Sequence, residues 1–346
     1  MNLSLGKNSF PLYAAALGAA LIAFTLAADS TAAAKGAGLD VEIPFQITVL
    51  KTPEIFAPYF LAPMDGKLVV SDQAGGVYSV TLDGKATALA SRAKIKHPAG
   101  VAIAPAGFGS YAGQIFVLAT SGSEKSPCEV MRIDGAGKIS TFVKLPASKG
   151  GMPVVCRDLE FGPAGTPFAG KLYAATSKNS TVYAIDSSGN ASVFGVYRDP
   201  MPFELTTIGF TSASDPKAPN SMLVGMHLEM GKVAKVGRIA IVKPGGKMGD
   251  VYRVGFIRPS GFAWSPAGFG TYPHEFFVAE TGKFFSQNNG MRDGVIDRIE
   301  KGSPRPWATG LMDPTDFKFV GNKMVICDPA ERGVGGGAIV IISSMM

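Results

Sequence analysis

The chain is poor in the residues that most enzyme chemistry needs. Its 346 residues include only three histidines, three cysteines and two tryptophans. So few histidines all but exclude a His-rich zinc site. No Cys-x-x-Cys pair, serine nucleophile elbow or phosphate-cradling glycine loop occurs, which removes the commonest redox, acyl-transfer and nucleotide signatures. Charged residues make up 17% of the chain, and the 33 basic and 27 acidic side chains are interleaved rather than clustered. A nucleic-acid binder would show a basic stripe, and none is present. Beyond the first 35 residues no apolar run approaches the roughly 20 residues that a membrane-spanning helix requires.

What the chain has is glycine and proline. With 43 Gly and 24 Pro it is punctuated about once in five residues, a pattern of short strands and tight turns with little room for long helices. Apolar residues reach 46%, enough for a large core. Residues 1–35 read as an export signal. Lys7 gives a positive start, Pro11 to Ala27 is apolar, and small residues around Ala27 and from Ser30 to Ala34 offer cleavage sites. The expectation is a signal peptide over 1–35, a single domain over 36–346, and a periplasmic or secreted protein with no stable membrane span after cleavage. An uncleaved anchor is the alternative. In an oxidising compartment one pair among Cys128, Cys156 and Cys327 bridges. Spacing alone does not say which, and the repeat described next favours Cys128 with Cys156.

A short β-rich segment recurs six times and usually ends in a polar residue. The copies are KLVVSD from Lys67, QIFVLAT from Gln114, KLYAAT from Lys171, SMLVGM from Ser221, EFFVAE from Glu275 and KMVICD from Lys323. They lie 47 to 57 residues apart, the spacing of four-stranded propeller blades. Most are followed by a second strand and a Gly-containing hairpin turn, as in VYSVTLDGK from Val77 and VYAIDSSGN from Val182. A related strand precedes each copy, as in HPAGVAIAPAGFG from His97 and RPSGFAWSPAGFG from Arg258. The reading is an all-β, six-bladed β-propeller of four-stranded blades. After the sixth copy only GAIVIISS from Gly337 remains, so FQITVLK from Phe45 is expected to supply the last strand and close the ring. Seven blades or an open solenoid are the alternatives.

In a propeller the first strand of each blade lines the channel, and aligning the six first strands places polar residues at its mouth. These are His97, Arg157, Asp158, Glu204, Arg258, Asp313 and Asp316, while blade one offers Ala57-Pro58-Tyr59. Converging charges on a narrow axis must be paired, hydrated or liganded. Salt bridging among them is one reading. In the other, Asp158, Glu204 and Asp316 hold a hard divalent cation such as Ca²⁺ or orient a polar ligand. The loops between second and third strands in blades four to six form a second candidate face. It carries His227, Glu229, Glu280, Lys283, Asn288, Asn289, Arg292, Asp293, Glu331 and Arg332, of which Glu280 and Arg292 are the main candidates for contacting a partner. Met226-His227 with Met230 also offers a soft-metal pattern.

The PxGxAxxP unit followed by a short strand and hairpin resembles the NHL and gluconolactonase/strictosidine-synthase-like six-bladed propellers. That resemblance implies a divalent metal held by a Glu on the first blade with Asn and Asp further round. Here the first position is Ala57-Pro58, which leaves Asp158, Glu204 and Asp316 as the available acids. APYFLAPMDGKLVVSD from Ala57 and IRPSGFAWSP from Ile257 resemble quinoprotein sugar dehydrogenases, which implies a quinone cofactor and places His97 where a base would take a sugar hydroxyl proton. Two function classes therefore stand open. One is a scaffold binding a small-molecule ligand or a protein partner. The other is an enzyme at the channel mouth, either a metal-dependent lactone or ester hydrolase or a quinoprotein dehydrogenase.

Overall fold

A computed structural model describes residues 39–120, 127–146, 154–197, 203–228, 237–281, 292–329 and 337–345. The expected export signal, and Glu229, Met230, Lys283, Asn288, Asn289, Glu331 and Arg332, lie outside the described residues. Every described regular element is a strand, and the strands form six antiparallel sheets. Blade one runs through Pro58–Met64, Lys67–Asp72, Val77–Val80 and Ala86–Ala90, and each later blade repeats this order. The six first strands touch in sequence, and the sixth, Asp316–Val320, returns to the first. The molecule is therefore a closed six-bladed β-propeller, not a solenoid.

Ring closure follows from the ends of the chain. Phe45–Leu50 pairs antiparallel with Ala338–Ser344 as the outer strand of blade six, with Phe45 opposite Ser344 and Leu50 opposite Ile339. Just before it, Asp40–Val41 adds a short fifth strand to the outer edge of blade five, opposite Thr309 and Ala308. Unpaired edge groups on both blades are thereby covered.

Each blade buries both faces against its neighbours, so the second and third strands are apolar on both sides. Leu172–Ser177 and Thr181–Ile185 are buried throughout, whereas the outer strand Ala191–Val196 alternates with solvent. The core is correspondingly divided into seams. Leu223, Ile239, Phe262 and Val278 pack between blades four and five, and Val70, Leu61, Val325 and Ile341 between blades one and six. The recurring PAG segments end in buried rings, Phe108, Phe168 and Phe269, that fold back into these seams.

The polar residue that ends the repeated strand is a structural device. Asp72 accepts hydrogen bonds from the N–H groups of Phe56 and Ala57, both at 2.9 Å. Asp328 accepts from Met312 and Asp313, and Glu280 from Ile257. These buried carboxylates fix the loop that leads into the channel strand, satisfying backbone donors that would otherwise be orphaned.

Cys128, opening the third strand of blade two, is bonded to Cys156 on the first strand of blade three. Cys327 is free and buried. Closing a loop across 28 residues stabilises by about 3–4 kcal/mol in the chain-entropy picture. Cys128→Ala with Cys156→Ala is expected to lower the melting temperature by several degrees without changing the far-ultraviolet circular dichroism. Adding reductant to the wild-type protein should reproduce the shift.

Candidate active or binding site at the channel mouth

Where the first strands begin, the channel opens into a cavity of about 520 Å³. Its wall carries Tyr59, His97, Arg157, Lys178, Arg258 and Asp313. The first strands reach this point through bulges. Register shifts interrupt their pairing between Pro58 and Leu61, Pro98 and Val101, Cys156 and Leu159, Leu205 and Thr207, and Pro259 and Gly261. A bulge reverses which face the following side chains take. Arg157 therefore faces the cavity while its neighbour Asp158 turns into the seam with blade four.

Stitches between neighbouring first strands hold this wall. Asp158 accepts from the Thr207 hydroxyl at 2.8 Å and the Ile208 N–H at 2.9 Å. The Thr206 hydroxyl donates to the Pro259 carbonyl, Ser260 to Pro314, and Thr315 to Tyr59. The Leu61 N–H donates to Asp316 at 3.1 Å. Gly100 lies against blade three so closely that a Cβ there would come within 2.3 Å of the Leu159 nitrogen. Below the stitches, Lys318 of blade six crosses to Glu160 of blade three at 2.5 Å.

Asp158, Glu204 and Asp316, the acids expected to be available to a divalent cation, have other partners in the structure. Asp158 accepts from hydroxyl and backbone donors of blade four, whereas Asp316 accepts the Leu61 N–H through one oxygen and turns the other to the Lys318 ammonium at 3.6 Å. Glu204 receives the Ser177 hydroxyl at 2.7 Å and the Lys178 ammonium at 2.9 Å. Among the described residues no group of three or more His, Cys, Asp or Glu side chains gathers to hold a metal ion. The two main residues expected on a loop face differ in their surroundings. Glu280 is buried and caps Ile257, while Arg292 is exposed and donates to the Gly310 carbonyl at 3.4 Å. His227 lies in the second strand of blade four, opposite Glu204, not in a loop. Met226 beside it is buried in the core between blades three and four, where its sulfur cannot join a surface copper site.

His97, Arg157, Arg258 and Asp313, in contrast, do converge on the cavity. Arg157 donates to the Tyr59 hydroxyl. The Nε atoms of both arginines, the Thr281 hydroxyl, Asp313 Oδ1 and His227 Nδ1 are buried without a hydrogen-bond partner. Burial opposes the charge of Arg157, but Tyr59 and Glu204 outweigh it and raise its pKa. Arg258 is pulled down by burial and then by Arg157. Burial, only partly offset by Arg258, pushes Asp313 up to about 8, so it holds a proton at neutral pH. Burial and the Arg258 charge push His227 down to about 3, leaving it neutral. The mouth is thus cationic. Lys178 and Thr281 were not singled out in the sequence, where each reads as an ordinary residue just past a strand end.

No protein-family model matches the chain, and no curated protein does. Solved structures share its fold. The apo aldose sugar dehydrogenase of Escherichia coli superposes with a TM-score of 0.54 at 10% identity, covering 87% of this chain and 99% of that one. The PQQ domain of Coprinopsis cinerea pyranose dehydrogenase gives 0.57 at 9%, covering 88% and 97%. An auxiliary nutrient binding protein of Bacteroides thetaiotaomicron gives 0.56 at 10%, covering 84% and 70%. At such identity the likeness is one of fold, and the fold carries both catalytic and binding proteins.

The buried acids and His227 set a pH profile. Burial and the neighbouring Asp297 carboxyl push Glu280 up to about 9. The folded state therefore holds this proton more tightly than the unfolded chain, and its contribution is lost as pH rises from the unfolded value toward 9. His227 acts with the opposite sign, costing stability as pH falls below its unfolded value of 6.5. Melting temperature should peak between these limbs. Glu280→Gln is expected to flatten the alkaline limb and His227→Gln the acid limb in thermal melts from pH 4 to 9.

Proposed function

We propose that the protein is an exported ligand-binding propeller that takes a small molecule bearing a carboxylate or comparable anion into the mouth of its channel. The observation that carries this reading is the pair Arg157 and Arg258. Both line one cavity, both have a buried Nε without an acceptor, and among the described residues neither forms a salt bridge. The two half-buried guanidiniums repel each other, and an anion between them would relieve that cost. Glu204 attracts both guanidiniums but is itself bonded to Ser177 and Lys178, and burial pushes Asp313 up to about 8. A carboxylate accepting the forked donors of a guanidinium would satisfy both needs. The cavity volume falls within the range of small-molecule sites. A protein partner gripped by Glu280 and Arg292 is the weaker reading, since Glu280 is buried.

The position of His97 favours a second reading of the same cavity. Pyrroloquinoline quinone carries carboxylates that suit Arg157 and Arg258, and when bound it would supply a hydride acceptor. His97, on the same wall, would then take the proton of a sugar hydroxyl. A metal-dependent hydrolase finds no such support, because the donor set for a Ca²⁺ ion does not assemble among the described residues.

The test is a thermal-shift titration of the mature protein with citrate, gluconate, glucose and pyrroloquinoline quinone. A ligand at a hundred times its dissociation constant stabilises by about 2.7 kcal/mol. Anions are expected to raise the melting temperature of the wild type and to leave Arg157→Met/Arg258→Met unmoved. A glucose response that requires the quinone would establish the second reading. An anion response that survives in the double variant, or no response by the wild type, would overturn the binding proposal.

A further inference from the structure

At the opposite mouth, where the first strands end, the described loops enclose a second cavity of about 650 Å³. It shares no lining residue with the first. Its wall is aromatic, with Phe161, Phe210, Phe262 and Trp264, and the ion pair of Glu160 and Lys318 lies against it. Trp264 is half-buried. It rests on Phe276 at a centroid distance of 4.4 Å, with Tyr252 set edge-on at 6.4 Å. The indole is thus a fixed platform with its remaining surface toward the cavity. Gly209 lets the Phe262 ring lie flush against its strand, since a Cβ there would meet that ring at 2.7 Å.

The charges lining this cavity are already committed. Burial alone would strip Lys318 of its proton, but Asp316 and Glu160 prevail and raise its pKa. Asp215 accepts from the Lys217 and Ala218 N–H groups and from the Tyr252 hydroxyl. Unlike the cationic first mouth, this one presents flat apolar faces beside a polarised acceptor–donor pair, with the Ser212 and Ser214 hydroxyls on the rim. A neutral ring with C–H faces and hydroxyl edges matches both features. The faces stack on Trp264, and the hydroxyls bond to the free Glu160 oxygen, to Lys318 and to the rim.

We infer that the second mouth is a separate binding site for a neutral hydroxylated ring, a saccharide or cyclitol. It stands independently of the reading given to the first mouth.

Intrinsic fluorescence tests this directly, because the chain has two tryptophans and Trp307 is buried in the seam between blades five and six. Glucose, maltose, cellobiose and myo-inositol are titrated to about 100 mM, with choline and gluconate as charged probes. At least one neutral probe should give a saturable change in emission. Ser214→Tyr, which fills the cavity from an exposed loop position, should abolish it, and Glu160→Gln should weaken it about tenfold. Arg157→Met, at the other mouth, should leave it intact. Calorimetry on Trp264→Phe should show weakened binding without relying on the fluorophore. If no neutral probe changes the emission, if choline or gluconate changes it at lower concentration than any neutral probe and that change is lost in Ser214→Tyr, or if the neutral-probe change survives Ser214→Tyr, the inference is overturned.

Discussion

A four-stranded blade has two apolar faces and no means of covering either, so everything in this molecule depends on the seam between one blade and the next. Burial drives the seams together, but burial is non-directional and does not set the height at which neighbours meet. The short polar stitches beside the axis set it. Thr206, Ser260 and Thr315 each donate a hydroxyl to a carbonyl at the next blade, and Asp158 and Asp316 each accept a backbone N–H from one. Each bond contributes about 1 kcal/mol, yet together they fix the channel wall residue by residue. Functional side chains inherit their positions from that wall.

The stitches also explain how acids can crowd a channel without making a metal site. Asp158, Glu160 and Asp316 share one stretch of the axis with Lys318 as the cation between them. Turned toward the axis and left free, they would form a strong cation trap. Instead Asp158 and Asp316 accept donors from the next blade and Glu160 is paired with Lys318. The excess charge is left to Arg157 and Arg258 at one end, and the two mouths of the channel have opposite character.

The fold was legible because a propeller writes itself six times. The strand copies from Lys67 to Lys323 set the blade count, and the shortage of strands after Gly337 pointed to Phe45–Leu50 as the closing piece. The convergence of His97, Arg157, Arg258 and Asp313 was legible for the same reason, since aligned repeats place equivalent positions at one height. The direction of individual side chains was not. Strand alternation has a period of two, and one extra residue reverses it. The bulge between Cys156 and Leu159 leaves no sequence signature, so Asp158 read as a channel residue when it belongs to the seam. Glu280 misled differently. A carboxylate ending a strand beside a long loop reads as a binding group, and only the Ile257 N–H it accepts reveals a cap. His227 was placed in a loop because the blade-four strand runs longer than its counterparts.

The closing strand has a consequence for the order of events in the life of the chain. Residues 45–50 are among the first of the propeller to emerge from a ribosome, and their partners at 338–344 are the last. Five blades can assemble meanwhile, but the ring stays unsealed until its final strand arrives. Folding to the closed state is thus tied to arrival of the far end of the propeller.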